Sequence, residues 1–402
     1  GRVGHRRGGT TTDIAVLRDG FPRLSPEGAR VGRWRTMIET VDVHTAGLGG
    51  DSQVRVAPGT RVLTIGPRRS VPLCQLAAGH PPIVEELRRQ LAAREHLPLT
   101  GQFSLPQRRS RAALDPRGQE LLDHLDSTPR SLLHLARVLP AGLLVVHQLE
   151  ELEARQVVQR AGFTPTDALH VLGRFQRWNT EAARLGAELL AAQLGVAVEV
   201  LCERVVAEFS RRLAAELAAK ALADEGCPPA WEEEPGATAL LGRALGRVPD
   251  TSLSCALTLN APVVAVGAPV EAYLPEAAGY LHTELVIPPH AGVANALGSV
   301  ATGVVQRLRV LVRPHDVLYR FHLPEQVLDF ADLETGIARA QETVVPHLQA
   351  LARQAGAPQT EVQMTREDRT APDGYGGGGE IYVESELVFT AVGGPGLRPA
   401  NG

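Results

Sequence analysis

The spacing of apolar and polar residues changes along the chain and divides it into parts. Residues 8 to about 75 carry short apolar runs between glycine-rich turns, for example Ile14 to Leu17 before the hairpin signal Asp19-Gly20. From about residue 80 to 250 the apolar residues recur at helical spacing, as they do from Ile83 to Arg94. This pattern predicts strands first and helices afterwards.

Boundary signals define several helices in the middle of the chain. The run Thr164-Pro165-Thr166-Asp167 predicts a helix start, because it combines a threonine cap, a proline at the first helical position and a capping-box acceptor. Two long alanine- and leucine-rich helices are predicted over 180–194 and 199–224, and Gly195 ends the first. The apolar run Leu143 to Val146 predicts a strand. Helical spacing predicts two further helices, Leu132 to Leu139 and Glu150 to Ala161.

The last part of the chain mixes strands and helices after a linker rich in glycine and proline, Glu225 to Gly236. The predicted elements are the strand Ala261 to Val266, the helix His290 to Gln306, the strands Val310 to Val312 and Val317 to Phe321, the helix Leu333 to Ala355 and the strand Glu380 to Val392. An order of strands, helices and strands again is typical of a two-part α/β fold with a helical insertion.

Composition excludes several classes of protein. With 44% hydrophobic and 21% charged residues, the chain has the balance of a soluble globular protein. Its formal net charge of -4 provides no basic field for a phosphate backbone, so nucleic-acid binding is not expected. No apolar run is long enough for a membrane span. The cysteines form no CxxC pair, which favours a reduced, cytoplasmic chain without a disulfide framework: Cys74, Cys202, Cys227 and Cys255.

The strongest chemical signal lies near the beginning of the chain. It is the run Gly8, Gly9, Thr10, Thr11, Thr12 and Asp13. Glycines let backbone N–H groups approach a phosphate closely, and threonines add hydroxyl donors. Asp13 can hold magnesium or orient a water molecule, which makes it a candidate catalytic and metal-binding residue. The competing interpretation is a polar β-turn of chance composition.

A second glycine loop extends from Gly47 to Ser52 and follows a predicted strand. Its candidate nucleotide contacts are Gly49, Gly50 and Ser52, because such a loop can wrap anionic oxygens. His44 precedes the loop and is a candidate for proton transfer. A plain flexible turn would have the same composition.

Two later segments also have the composition of a ligand site. Gly267, Ala268 and Pro269 follow an apolar strand, and small residues at the carboxyl end of a strand leave room for a flat ligand. A strand-ending turn is the alternative. The predicted helix that begins at His290 is rich in glycine and alanine, and Asn295 is its polar exception. Tight packing in a core would explain that segment equally well.

Five segments, in this order, resemble the hydantoinase/oxoprolinase family: GGTTTDIAVLRDG, VDVHTAGLGGDS, GFTPTDALHVLG, VVAVGAPVEAYLP and PPHAGVANALGSV. The resemblance implies an actin-like ATPase (ribonuclease-H-like) core with a helical insertion and a C-terminal α/β domain. In such a fold Gly8 to Asp13 would form the second phosphate loop and Gly267 to Pro269 would lie near the adenosine. Ala294 to Ala296 would belong to the segment that connects the two halves.

The same resemblance implies a domain order and an activity. Residues 8–80 and 251–310 would form the ATPase core, 81–250 the mainly helical insertion and 311–402 the C-terminal domain. The implied enzyme uses ATP and magnesium to phosphorylate an amide oxygen of a small cyclic substrate, after which water opens the ring. A hydantoinase B-type partner subunit is also implied. The alternatives are an ATP-dependent ketone carboxylase subunit and a degenerate, non-catalytic assembly subunit.

The chain departs from the family pattern near its beginning. Arg6 stands where family members carry an aspartate, and Asp51 stands where they commonly carry glycine. An earlier glycine-threonine phosphate loop of the family has no counterpart, and the chain opens on Gly1. The expectation is a chain truncated at its N-terminus, whose activity on its own is in question.

Overall fold

The computed structural model of the chain describes residues 11–18, 21–25, 30–31, 34–35, 40–57, 60–93, 99–107, 114–125, 128–140, 142–231, 233–247, 252–268, 270–294, 304–372 and 380–393. The chain divides into two compact units, Gly1–Val293 and Ala294–Gly402. Both contain helices and strands, so the fold belongs to the mixed α/β class.

Within the described residues, the first unit begins with eleven strands, and all but the last pair in an antiparallel manner. They are β1 (Thr12–Ala15), β2 (Leu17–Arg18), β3 (Phe21–Pro22), β4 (Leu24–Ser25), β5 (Arg30–Val31), β6 (Trp34–Arg35), β7 (Thr40–Val41), β8 (Val43–Ala46), β9 (Ser52–Val56), β10 (Leu63–Arg69) and β11 (Val71–Pro72). β1 pairs with β8, β2 with β3, β4 with β7, β5 with β6 and β9 with β10. The predicted hairpin residues Asp19 and Gly20 lie outside the described residues, but the strands on either side of them do pair.

Helices dominate the rest of the first unit. They are α1 (Leu73–Gly79), α2 (Pro82–Ala92), α3 (Pro116–Leu125), α4 (Leu132–Val138), α5 (Val145–Ala154), α6 (Pro165–Val171), α7 (Thr180–Leu194), α8 (Val198–Asp224), α9 (Pro235–Ala244) and α10 (Leu274–Tyr280). The strands between them are β12 (Phe103–Pro106), β13 (Arg130–Ser131), β14 (Val158–Gly162), β15 (Val263–Val264) and β16 (Leu285–Val286). One mixed sheet has the order β11-β14-β12-β13, and β15 pairs with β16 in parallel.

The boundary signals in the sequence are confirmed in the structure. Thr164 caps α6, and Asp167 completes the capping box. α7 ends at Gly195, whose left-handed φ of 68° suits a residue without a Cβ atom. α7 and α8 form the main core because their apolar residues recur on one face. In α8 these residues are Leu201, Val205, Phe209, Leu213 and Leu217.

The predicted strand from Leu143 to Val146 is wrong. Gly142–Leu144 is a 3₁₀ turn, and α5 begins at Val145. A short apolar run suits either a buried strand or a buried helix. Here Val145 and Leu149 lie one helical turn apart and fill a second apolar core beside α3 and α4, so packing favours the helix. The predicted helix Glu150 to Ala161 is correct only as far as Ala154, because β14 follows it.

The second unit is a helix packed on an antiparallel sheet. Its elements are β17 (Val304–His315), β18 (Leu318–His322), β19 (Val327–Phe330), α11 (Leu333–Gln354), β20 (Glu361–Pro372) and β21 (Glu380–Gly393), with sheet order β19-β18-β17-β21-β20. At Gly336 the helix packs so close to the ring of Phe321 that a Cβ atom would overlap it. The predicted helix His290 to Gln306 is wrong at its end. Residues 304–306 begin β17, and residues 291–293 form a 3₁₀ turn.

Within the described residues, no single helix is long and apolar enough to cross a membrane. Only the bent pair α7 and α8, which meet at 92°, satisfies the length and composition of a span, and then only when the two are taken together.

Candidate functional site

The predicted phosphate-binding run is described only from Thr11 onwards, and Gly8, Gly9 and Thr10 lie outside the described residues. Thr12 and Asp13 begin β1, whose backbone pairs with β8. The Thr12 hydroxyl donates to the carbonyl oxygen of Leu48 at 2.8 Å. This bond joins the start of β1 to the second glycine loop, so the structure brings the first two sequence motifs together.

The β1–β8 pair has an exposed face and an inward face, because side chains alternate along a strand. On the exposed face the Thr45 hydroxyl donates to Oδ1 of Asp13 at 2.7 Å. On the inward face His44 lies opposite Ile14, and its Nε2 atom is 2.7 Å from Oε2 of Glu216 in α8. The two predicted catalytic residues, Asp13 and His44, therefore point away from each other.

Glu216 is a residue that the sequence analysis missed. It lies in α8, 172 positions after His44 in the chain, and looks like one of many charged residues on a helix. Its carboxylate lies within hydrogen-bond distance of the His44 ring and can fix the orientation of that ring, as a histidine that transfers protons would require. Only the tertiary contact between α8 and β8 identifies this pair.

Most of the second glycine loop is buried, and bonds within the protein hold it in place. The backbone N–H of Gly49 donates to the Ser52 hydroxyl at 3.0 Å. The Gly50 carbonyl oxygen accepts two bonds from Thr166, from its amide at 3.1 Å and from its hydroxyl at 2.8 Å. A Cβ atom on Gly50 would lie 2.7 Å from the Thr166 hydroxyl oxygen. The loop therefore needs glycine at position 50 for close packing against the first turn of α6.

Gly49, Gly50 and Ser52 were predicted to contact a nucleotide. In the structure they are buried, and the bonds just described give them a structural function. A direct contact between these three residues and a nucleotide stays a prediction.

Asp167 connects two helices beneath this loop. Its carboxylate accepts bonds from the backbone N–H groups of Leu73 at 3.1 Å and Cys74 at 2.8 Å, at the start of α1. It also accepts from the amide and the hydroxyl of Thr164, both at 2.9 Å. The sequence predicted the cap on α6 but not the bonds to α1. One carboxylate thus accepts bonds from buried backbone amides at two helix N-termini, which have no partner within their own helices.

The environment of Asp167 also affects Cys74. Burial raises the pKa of the Asp167 carboxyl, and the bonds from Cys74, Thr164 and Leu73 oppose that rise. Burial and the neighbouring carboxylate raise the pKa of the Cys74 thiol far above its ordinary value. The thiol therefore stays protonated, and Cys74 is a core residue rather than a nucleophile.

The remaining predicted contacts lie on other elements. Gly267 follows β15, has a φ of 111°, and donates its N–H to the carbonyl of Ala291 at 2.7 Å. Ala268 is exposed, while Pro269 and Asn295 lie outside the described residues. That Gly267, Ala268 and Pro269 lie near the adenosine of a bound nucleotide, and that Asn295 contacts it, stays a prediction.

Asp13 could bind a magnesium ion only together with the phosphate groups of a nucleotide. Across the described ranges, no three His, Cys, Asp or Glu side chains are grouped so that they could hold a metal ion. Asp13 offers one exposed carboxylate. Magnesium is commonly bound through one or two carboxylates plus phosphate oxygens and water, so this donor set suits a metal that arrives with a nucleotide.

The family of the chain follows from a sequence comparison. The family model described as hydantoinase/oxoprolinase matches residues 3–226, more than half of the 402 residues. The chain belongs to the hydantoinase/oxoprolinase family. The matched range contains Thr12, Gly50 and Thr166, so the contacts that join three of the sequence motifs all lie within the family region. No curated protein sequence matched the chain.

A solved structure has a similar fold. It is acetone carboxylase in its nucleotide-free form, from a study of ATP-dependent acetone carboxylation. The TM-score is 0.50 and the sequence identity 14%, over 96% of this chain and 45% of that chain. At this identity the likeness concerns the fold alone, and the chain spans less than half the length of the other. An actin-like core within this α/β fold remains a prediction.

Proposed function

We propose that this chain contributes the nucleotide-binding part of an ATP- and magnesium-dependent hydrolase that opens a cyclic amide of the hydantoin or oxoproline type. The observation that carries the proposal is the convergence of three motifs of a hydantoinase/oxoprolinase sequence. Thr12 bonds to Leu48, and Gly50 bonds to Thr166, so the start of β1, the glycine loop and the first turn of α6 form one assembly.

Within this assembly Asp13 has the role of holding magnesium. The Thr45 hydroxyl fixes one of its oxygens and leaves the carboxylate exposed. Bound ATP would supply the phosphoryl group that activates the amide oxygen, and magnesium would neutralise the negative charge of the phosphates. The contribution of the chain is alignment: the Thr12–Leu48 bond keeps β1 against the glycine loop. His44, oriented by Glu216, would move the proton when water attacks.

A second candidate is an ATP-dependent ketone carboxylase subunit, which the fold likeness to acetone carboxylase favours. Both candidates share the nucleotide-binding assembly and differ in the acceptor of the phosphoryl group. For either enzyme we propose a hydantoinase B-type partner subunit and a cytoplasmic location.

The test measures phosphate release from ATP by the 402-residue chain in the presence of magnesium. Hydantoin and 5-oxoproline are added in one series, and acetone with bicarbonate in another. Faster phosphate release with a cyclic amide supports the hydrolase. Faster phosphate release with acetone and bicarbonate alone would favour the carboxylase instead. Absence of magnesium-dependent ATP binding by calorimetry would overturn both and leave the non-catalytic assembly subunit.

A further inference from the structure

The first unit contains a partly open cavity of about 350 Å³ that none of the sequence motifs predicted. β9 and β10 contribute Gln53, Arg55 and Arg68 to its wall, β14 contributes Arg160, and α5 contributes the carboxylate of Glu150. Three arginines around one small cavity are unusual, because like charges repel and each guanidinium loses hydration on burial. Such a cluster needs an explanation in terms of what it holds.

Three polar atoms of this wall are buried without a hydrogen-bond partner. They are Nε of Arg55, Nη2 of Arg160 and Oε1 of Gln53. Arg160 and Gln53 are almost completely buried, at 2% and 1% exposure. An unsatisfied polar atom in such a place costs free energy unless water or a ligand completes its bonds. All three residues line the same cavity, which is where the missing partner would lie.

The wall and its ion pairs contain three guanidinium groups and two carboxylates, Glu150 and Glu153, which leaves one positive charge in excess. Arg160 pairs with Glu153, and Arg68 pairs with Glu150 at 2.5 Å. Arg55 forms no ion pair with any residue in the described part of the chain. Burial lowers the pKa of Arg55 and of Arg160, and the charge of Arg68 adds to both shifts. Glu150 opposes both shifts, and Glu153 also opposes the shift at Arg160. A bound anion would relieve this repulsion.

Part of the cavity lining is apolar. It includes Leu73, Phe163 and Leu190. Leu73 and Phe163 meet at Gly186, where a Cβ atom would overlap Leu73. This glycine lets α7 pack against α1 and β14 while the space beside it stays open. The lining therefore combines guanidinium and amide groups with hydrocarbon side chains, the combination typical of small-molecule sites.

We infer that the cavity binds a small organic acid, whose carboxylate contacts Arg55 and Arg160 and whose short hydrocarbon part contacts Leu73 and Phe163. The planar guanidinium fork matches a planar carboxylate with two parallel bonds. The Gln53 carbonyl oxygen would take a hydroxyl or amide hydrogen of the ligand. Since Gln53 directly follows Ser52, the acid would lie next to the second glycine loop. The inference does not depend on ATP.

The experiment is titration calorimetry of the 402-residue chain, without nucleotide, at constant ionic strength. The probes are acetate, propionate, butyrate, inorganic phosphate and chloride. We expect carboxylates to bind, with the affinity increasing about fourfold for each added methylene group that reaches the apolar part of the lining. Tighter binding of phosphate than of every carboxylate, or equal binding of chloride, would overturn the assignment.

Arg55→Gln should weaken carboxylate binding by at least about tenfold, because a charged hydrogen bond is lost. Arg61→Gln is the matched control, since Arg61 is an exposed arginine just before β10 and should leave binding unchanged. Arg55→Lys keeps the charge without the planar fork, and an intermediate affinity is expected. If circular dichroism shows that Arg55→Gln does not fold, the carboxylate affinity of Arg55→Lys is the test of the site. Equal affinities of the folded Arg55 variant and Arg61→Gln would refute the site.

Discussion

The amide and hydroxyl groups of Thr166 both donate to the carbonyl oxygen of Gly50, although 116 positions separate the two residues in the chain. This pair of bonds holds the second glycine loop against the first turn of α6. Since Gly50 carries no side chain, the two backbones approach closely enough for both bonds to form.

Gly50→Ala should destabilise the chain by about 1–3 kcal/mol, because the added methyl group would lie 2.7 Å from the Thr166 hydroxyl oxygen. Urea unfolding followed by circular dichroism measures the loss. Gly47→Ala is the control, since a Cβ atom there meets nothing within 4 Å. In the double variant Gly50→Ala/Thr166→Ala the clash is removed, so the two losses should not add. Strict additivity would show that the methyl group is tolerated and that the loss has another origin.

Asp167→Asn should destabilise the chain by about 1–3 kcal/mol, because an amide nitrogen would face N–H donors that need an acceptor. The donors at risk are the backbone amides of Leu73 and Cys74 in α1 and that of Thr164. Asp115→Asn provides the comparison, since Asp115 is exposed and its side chain accepts one bond from Gly118 at the start of α3. Equal, small losses in the two variants, measured by thermal unfolding, would contradict the two-helix role of Asp167.

Asp13→Ala should reduce ATP-dependent turnover about 10²–10³-fold while thermal stability changes little. The carboxylate is exposed, and its hydrogen bond within the protein comes from Thr45 alone among the described residues. Thr45→Val removes that hydroxyl and retains the carboxylate, so a much smaller loss of turnover is expected. Asp123→Asn, at an exposed position in α3, is the control for a change in charge. Unchanged ATP-dependent turnover of Asp13→Asn would show that the Asp13 carboxylate has no catalytic role.

The pair Arg68–Glu150 should make stability depend on pH in the acidic range. The Arg68 guanidinium holds the pKa of the Glu150 carboxyl below its ordinary value, and His147 contributes in the same direction. A lowered pKa in the folded chain means stabilisation above the unfolded value of about 4.3, which is lost as the pH falls through the folded value.

Glu150→Gln should therefore flatten the decrease in stability below about pH 5, with a difference under about 1 kcal/mol because the pair is half-exposed. Urea unfolding at pH 7 and at pH 3 measures it. The other charges near Glu150 are Glu153, Arg55 and Arg160, which the substitution retains. A pH profile identical to that of the unaltered chain would refute the contribution of this pair.

Local signals in the sequence were sufficient wherever a few neighbouring residues decide the structure. The cap at Thr164, the left-handed end of α7 at Gly195 and the helix Leu333–Gln354 were all predicted, and each depends on bonds or periodicity within one element. Leu143 to Val146 was mistaken for a strand because a short apolar run has the same composition in both structures. β20 was missed altogether, since its polar residues become a strand only by pairing with β21.

The sequence by itself determined the family, the capped helices and the segments that carry glycines and threonines. Only the tertiary structure decided how those segments are used. It buried Gly50 against Thr166, placed Asp13 and His44 on opposite faces of one strand pair, and brought Arg55, Arg68 and Arg160 around one cavity. The physical reason is that hydrogen bonds and charge clusters form between side chains that are near in space. Their distance along the chain leaves no local pattern from which such contacts could be read.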